Sequence, residues 1–169
     1  MKHNKGFTLI ELLVVIAIIG LLSSVVLASL NTARMKARDA KRFADIKQIQ
    51  MALELYYDKY GVYPTSDNDG CGGWDVGNQS FPLLNGRIST DIISKVPVDP
   101  TATGNCTGYR YFRYSAGSSG CDVSRGAYYV LGIVDLETSG RPYPSSPGWS
   151  CPLRNWQGEY DWVMGKFEN

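Results

Sequence analysis

The chain has 169 residues, enough for one domain plus an anchor. Seventeen basic side chains face sixteen acidic ones, which leaves no charge footprint for nucleic acid over the chain as a whole. The one histidine, His3, lies in the first few residues, so histidine-based catalysis and histidine-ligated metal sites are excluded from everything beyond it.

In chain order, a short basic leader (Met1-Lys2-His3-Asn4-Lys5) ends at Gly6, and an apolar run follows from Phe7 to Leu30. As a helix, that run would measure about 36 Å, against a hydrocarbon core of about 30 Å. Gly20 is a soft point, and Ser23 and Ser24 can bond back to carbonyls one turn earlier. Glu11 is the anomaly. An ionisable group inside a span costs on the order of several kcal/mol and marks a functional position. Three readings compete. A secretory signal could be cut near Val26-Leu27-Ala28, but the run is long for one and Glu11 interrupts its start. A plain anchor explains the length and leaves Glu11 and the Gly6-Phe7 junction unexplained. The third is a cleaved leader whose hydrophobic segment is kept.

The stretch Lys5-Gly6-Phe7-Thr8-Leu9-Ile10-Glu11, continuing to Gly20, resembles the N-terminus of type IV pilins and type II secretion pseudopilins. The resemblance covers about the first thirty residues. It implies that a prepilin peptidase cuts between Gly6 and Phe7 and methylates the new Phe7 amine. It also implies that Glu11 pairs with the Phe7 amine of a neighbouring subunit, with Thr8 at the family's threonine position. The mature product would lose Lys2 and Lys5 and hold 15 basic against 16 acidic side chains. Physically, an ammonium offset along a fibre would neutralise a carboxylate stranded in lipid, and the cost of leaving it unpaired would set the register. Many pilins carry proline where this chain has Ala28, which leaves Gly20 as the weaker break. By the positive-inside rule, Arg34, Lys36, Arg38, Lys41 and Arg42 would lie in the cytoplasm. The resemblance instead places the leader inside and the head outside, and the cleavage motif is the more specific signal.

From Ala33 the pattern becomes amphipathic. Phe43, Ile46, Ile49, Leu53, Tyr56 and Tyr60 recur at steps of three or four, and Gly61 and Pro64 end the helix. One helix from Phe7 to about Tyr60 would be about 80 Å long. The charges between Arg34 and Lys47 read as a solvated helix face, or as contacts to stacked subunits or anionic lipid.

Residues 61–108 are rich in Gly and Pro, with a short helix expected over Thr90–Lys95. Lys95-Val96-Pro97-Val98-Asp99-Pro100 resembles a segment of major pseudopilins and related pilins. Tyr109–Tyr114, Ala127–Leu136 and Asp161–Phe167 read as strands, with a turn cluster over Ser115–Gly120. The fold class is α+β: a long N-terminal helix packed on a small antiparallel sheet, pilin-like. The organisation is a leader (1–6), a membrane or fibre-core helix (7–30), an amphipathic helix (31–60) and a disulfide-stapled head (61–169). Cys71, Cys106, Cys121 and Cys151 contain no C-x-x-C pair and suggest two disulfides in an oxidising compartment. Three pairings are open. A local Cys106–Cys121 bridge nested in a long-range Cys71–Cys151 bridge is favoured because it needs no crossing; chain entropy puts the two at about 3 and about 4–5 kcal/mol.

Other candidates for chemistry are few. Asp67-Asn68-Asp69-Gly70 resembles the start of an EF-hand loop, but Val76 stands where that loop needs Glu. Some pseudopilins bind calcium near the sheet; Asp99, Asp122, Asp135 and Glu137 are the donors that would serve here, with capping and turn roles as the alternative. Trp74, Trp149, Trp156 and Trp162 read as core of a small domain, with a sugar- or base-stacking surface as the alternative. Arg110 and Arg113 alternate with Tyr109, Tyr111, Phe112 and Tyr114, which describes a half-buried strand in preference to a single-strand-binding platform. Asn78-Gln79-Ser80 and Asn105-Cys106-Thr107 match the short glycosylation pattern.

Together these features describe a structural filament subunit, not an enzyme, with no cofactor unless calcium. Its partners would be a prepilin peptidase, identical or related pilin subunits and membrane lipid before assembly, and not nucleic acid. It would sit in the cytoplasmic membrane by one span, head outside, and then in a surface fibre. A type II secretion pseudopilin and a non-polymerising membrane-anchored binding module are the alternatives.

Overall fold

The computed structural model describes residues 6–66, 71–78, 83–84, 86–88, 90–104 and 106–169. The leader residues 1–5, the Asp67–Gly70 motif, and Gln79, Ser80 and Asn105 of the two glycosylation patterns lie outside the described residues. The chain divides into two compact units, Met1–Ala37 and Arg38–Asn169.

Helix α1 spans Leu9–Tyr60 without a break, and Gly20, the expected weak point, is helical like its neighbours. In the first unit its apolar side chains are exposed from Leu9 to Leu30. The helix is long and apolar enough to cross a membrane. Three hydroxyls bond back within the helix: Ser24 donates to the Leu21 carbonyl (2.8 Å), Ser29 to Val26 (3.0 Å) and Thr32 to Ala28 (3.2 Å), while the expected back-bond of Ser23 is not among them. At the far end, Gly61 adopts φ +73° and donates its N–H to the Tyr57 carbonyl (2.7 Å). That left-handed cap stops the helix where the sequence places its end.

The second unit is built on a four-stranded antiparallel sheet in the order β1-β2-β3-β6, with β1 Asp75–Gly77, β2 Tyr109–Tyr114, β3 Tyr128–Ile133 and β6 Trp162–Phe167. A two-stranded hairpin adds β4 Ser150–Cys151 and β5 Arg154–Asn155. The three longer strands lie within the stretches whose aromatic and β-branched content predicts them. β1 and the hairpin are too short to show a period of two. The expected helix over Thr90–Lys95 is a run of turns instead. Six residues before Pro97 hardly offset the cost of nucleating a helix, and Ile92, Ile93 and Val96 pack singly against the core.

Both faces of the sheet are covered. Ile46, Ile49 and Leu53 of α1 meet Tyr109, Tyr111, Tyr129, Leu131, Ile133 and Trp162 on one face. Trp74, Val76, Tyr128, Val130, Trp156, Tyr160, Val163 and Phe167 fill the other. The central strand β3 is therefore buried at all six positions. Two glycines allow the second layer to close. A Cβ on Gly132 would lie 2.6 Å from the Tyr160 ring, and one on Gly165 would lie 2.3 Å from Trp149.

The disulfides correct the nested expectation. Cys71 bonds to Cys106 and Cys121 to Cys151, each pair with Cα atoms 5.0 Å apart. The reason is β2. A six-residue strand is about 20 Å long, and it separates Cys106, before its start, from Cys121, beyond its end. A local Cys106–Cys121 bridge would have to span the sheet. Non-reducing peptide mapping of the purified chain is expected to recover Cys71–Cys106 and Cys121–Cys151 cross-linked peptides; a Cys106–Cys121 peptide would contradict this topology.

Candidate functional site

Two clusters carry the chemistry. The first is at the start of α1. Thr8 precedes the helix, and its hydroxyl accepts from the Glu11 N–H (3.3 Å). The Glu11 carboxylate accepts from both the Thr8 N–H and the Thr8 hydroxyl, each at 2.8 Å. This is a capping box, in which a threonine and the glutamate three residues on satisfy each other's end of the helix. The Thr8-x-x-Glu11 spacing shows it in the sequence, although the sequence reading gave Thr8 only its family position. Gly6 and Phe7 lie outside the helix and are exposed.

The second cluster was not anticipated. Arg42 of α1 is 2 % exposed and uses all five of its N–H donors. Nε donates to Asp99 (2.7 Å). Nη1 donates to Asp39 (2.6 Å) and Glu137 (2.8 Å), and Nη2 to Asp99 (3.2 Å) and Thr101 (2.6 Å). Asp39 also accepts from the Glu137 and Thr138 N–H groups and the Thr138 hydroxyl. Asp99 accepts from the N–H groups of Thr101 and Ala102, both at 2.9 Å. Arg38 grips Glu137 from the other side, with Nε at 2.7 Å. The cluster joins the helix to the Val96–Pro100 loop and to the loop after β3.

Its charges are held ionised. Hydrogen bonds from Arg38 lead in pulling the Glu137 carboxyl down to about 2, with Arg42 adding to them against the effect of burial. Burial alone would raise Asp39 and Asp99. For Asp39 the Thr138, Glu137 and Arg42 donors outweigh it, and for Asp99 the Arg42, Thr101 and Ala102 donors do; both fall below the usual carboxylate range. Burial likewise opposes the charged Arg42, and the carboxylates of Asp99, Glu137 and Asp39 raise its pKa despite it.

This corrects the reading of residues 34–47 as a solvated face. Arg34, Lys36, Lys41 and Lys47 are exposed, but Asp39, Arg42 and Asp45 are buried. Asp45 pairs with Lys41 and accepts from the Tyr109 hydroxyl, both at 2.8 Å. The signal was in the spacing. Extending the stripe Leu53, Ile49, Ile46 backward by the same steps of four and three lands on Arg42 and Asp39.

Of the four acids considered for calcium, Asp99 and Glu137 share Arg42, Asp135 lines the same cavity as Asp99, and Asp122 has a partner of its own. Asp99 and Glu137 are engaged by arginine, Asp122 accepts from Ser124 (2.9 Å) in a capping turn, and Asp135 is exposed. Among the described residues no three His, Cys, Asp or Glu side chains are grouped to hold a metal. The tryptophans are core. Trp74, Trp156 and Trp162 are buried, and Trp149 packs against the second layer. On β2, Arg113 pairs with Glu168 through both ends (2.7 and 2.9 Å), and Arg110 lies over the Tyr160 ring. Tyr109 and Tyr111 are fully buried, so β2 offers no stacking platform.

Comparison with known proteins fits this geometry. Residues 1–27 match the family model described as the prokaryotic N-terminal methylation motif. The chain is 30% identical over 148 residues to the type IV major fimbrial protein FimA of Dichelobacter nodosus, covering 83% of this chain and 90% of that protein. It is 40% identical over 67 residues to the type II secretion system core protein G of Vibrio cholerae, covering 40% of this chain and 46% of that protein. Its likeness to core protein G of Escherichia coli is 35% over 97 residues, or 57% and 66% of the two chains. The chain thus spans about half to two thirds of these secretion relatives. No solved structure matches. The chain belongs to the family of type IV pilins and type II secretion pseudopilins.

Removing one partner from a buried ionic cluster leaves the others unpaired, so Arg42→Met is expected to destabilise the head by about 3–5 kcal/mol. Arg42→Lys should recover only part of that, since an ammonium cannot fill a five-donor fork. Because the carboxyl pKa values are depressed in the folded state, their contribution is present above the ordinary carboxylate range. It is lost as pH falls from about 4.5, the ordinary Glu value, toward the folded Glu137 value of about 2. Urea unfolding of the full chain in detergent at pH 7, 4 and 2 checks both points. A Glu137→Gln variant that keeps the full pH dependence would count against this assignment.

Proposed function

We propose that this chain is a structural subunit of a type IV pilus-like filament. The observation that carries the reading is the start of α1. A capped carboxylate, Glu11, opens an exposed apolar helix with no other charge before Arg34. The prepilin methylation motif covers the same residues. In this reading a prepilin peptidase removes the leader after Gly6 and methylates the Phe7 amine. The apolar helix holds the subunit in the cytoplasmic membrane with its head outside, and then packs among neighbouring subunits. Glu11 meets the Phe7 ammonium of the next subunit. The head covers the fibre surface, and the reading assigns the subunit no catalytic role and no cofactor.

A second reading, a pseudopilin of a type II secretion system, is favoured by the matches to core protein G over the N-terminal part of the chain. Finding the chain in sheared surface filaments supports the first reading; finding it confined to a periplasmic assembly supports the second.

Gly6→Leu is expected to leave full-length, membrane-held precursor, read by mass spectrometry of the N-terminus; a product starting at a methylated Phe7 would contradict the processing step. Glu11→Ala is expected to insert normally and to lose filaments by at least about tenfold, since an unanswered terminal ammonium then remains in the apolar core. Wild-type filament yield would contradict the pairing.

A further inference from the structure

β6 is an outer strand of the sheet, paired among the described residues only with β3. The Glu168 N–H donates to the Ala127 carbonyl (2.8 Å). Antiparallel alternation then directs the N–H and C=O groups of Val163, Gly165 and Phe167 away from β3. Val163 is covered. Its N–H donates to the Ser146 hydroxyl (3.0 Å), and its carbonyl accepts from the Gly148 N–H (3.1 Å) and from Ser146 (3.3 Å). Gly165 and Phe167 have no such cover among the described residues. They leave two consecutive rungs open on a strand whose preceding rung is closed.

A cavity of about 410 Å³ lies along these rungs, walled by Tyr57, Tyr63, Arg125, Trp149 and Lys166. Its charges are unevenly matched. Lys166 pairs with Glu54 (2.5 Å), and Glu168 is held by Arg113 (2.7 Å). The Arg125 guanidinium lies 3.8 Å over the Phe167 ring and has no ion-pair partner among the described residues. Stacking leaves the N–H groups in the guanidinium plane free. The Trp149 indole N–H is also buried with no acceptor. An open ladder can take up a strand, and the exposed Arg125 guanidinium, without an ion-pair partner among the described residues, can take up a carboxylate on that strand.

We propose that this edge docks an extended segment of another polypeptide by strand addition, pairing with the backbone of Gly165 and Phe167 and placing an aspartate or glutamate side chain on Arg125. Main-chain pairing supplies the hold, and the carboxylate supplies the selectivity. The Gly165 position suits this role. Trp149 occupies the place of its missing side chain, so the indole forms a wall of the cavity close to the open rung.

The test uses the full-length, isotope-labelled chain in detergent micelles. The probe is the peptide Ac-Thr-Asp-Val-Asp-Thr-NH2, compared with its Lys-for-Asp counterpart and with a backbone N-methylated form of the acidic peptide. The acidic peptide is expected to slow amide exchange at Gly165 and Phe167 by about tenfold or more, and the other two peptides are not. Arg125→Gln is expected to weaken acidic-peptide binding by about tenfold, the loss of one charge-assisted contact. Unprotected amides at the two positions, equal binding of the N-methylated form, or unchanged affinity of Arg125→Gln would each overturn the proposal. Protection that grows with protein concentration in the absence of peptide would also overturn it, by assigning the edge to copies of this chain.

Discussion

The head of this protein depends on one guanidinium that water does not reach. Arg42 binds Asp99 through Nε and Nη2, Asp39 and Glu137 through Nη1, and Thr101 through Nη2. Those partners come from three separate stretches of chain, so the cluster fixes where helix, loop and sheet meet. An apolar side chain could fill the same volume without choosing among those partners. A five-donor fork accepts only acceptors placed to match it, which is how a buried ionic group can set geometry even when its net contribution to stability is small.

The second constraint is that the sheet has no free face. A strand with one wet side would read as alternating apolar and polar residues, but β3 is Tyr-Tyr-Val-Leu-Gly-Ile and is buried throughout. The layer opposite the helix is supplied by short, irregular segments carrying Trp74, Trp149, Trp156 and Tyr160. Such segments have little regular backbone pairing of their own. The Cys71–Cys106 and Cys121–Cys151 bridges reduce the freedom these segments would have when unfolded. The bridges and the second aromatic layer are thus parts of one solution.

Much of this was legible in the residues. The apolar run, the stripe from Phe43 to Tyr60 and the stop at Gly61 follow from periodicity and from glycine, and the three long strands from their aromatic and β-branched content. The Thr8–Glu11 cap was legible from its spacing and was read only as a family position. What escaped was non-local. Nothing near Arg42 in the sequence points to Asp99 or Glu137, and a charged residue on an apolar stripe is easily assigned to the wet side. The nested cysteine pairing, favoured because it needs no crossing, fails because the intervening strand β2 carries Cys106 and Cys121 apart. β1 and the hairpin were too short for any period to appear.

The two ionic sites differ in what their surroundings supply. At Arg42 the charges are answered within the chain, and every donor has an acceptor. At Glu11 the Thr8 N–H and hydroxyl fill two acceptor positions on the carboxylate, but both donors are neutral. They satisfy hydrogen bonding and leave the negative charge in place. In water that charge is stable. Among apolar neighbours it carries a solvation cost that two neutral donors offset only in part. A cation removes that cost, and the chain places none between Glu11 and Arg34. In the proposed filament, the difference between a carboxylate that is hydrogen-bonded and one that is also neutralised is what a neighbour's ammonium would supply.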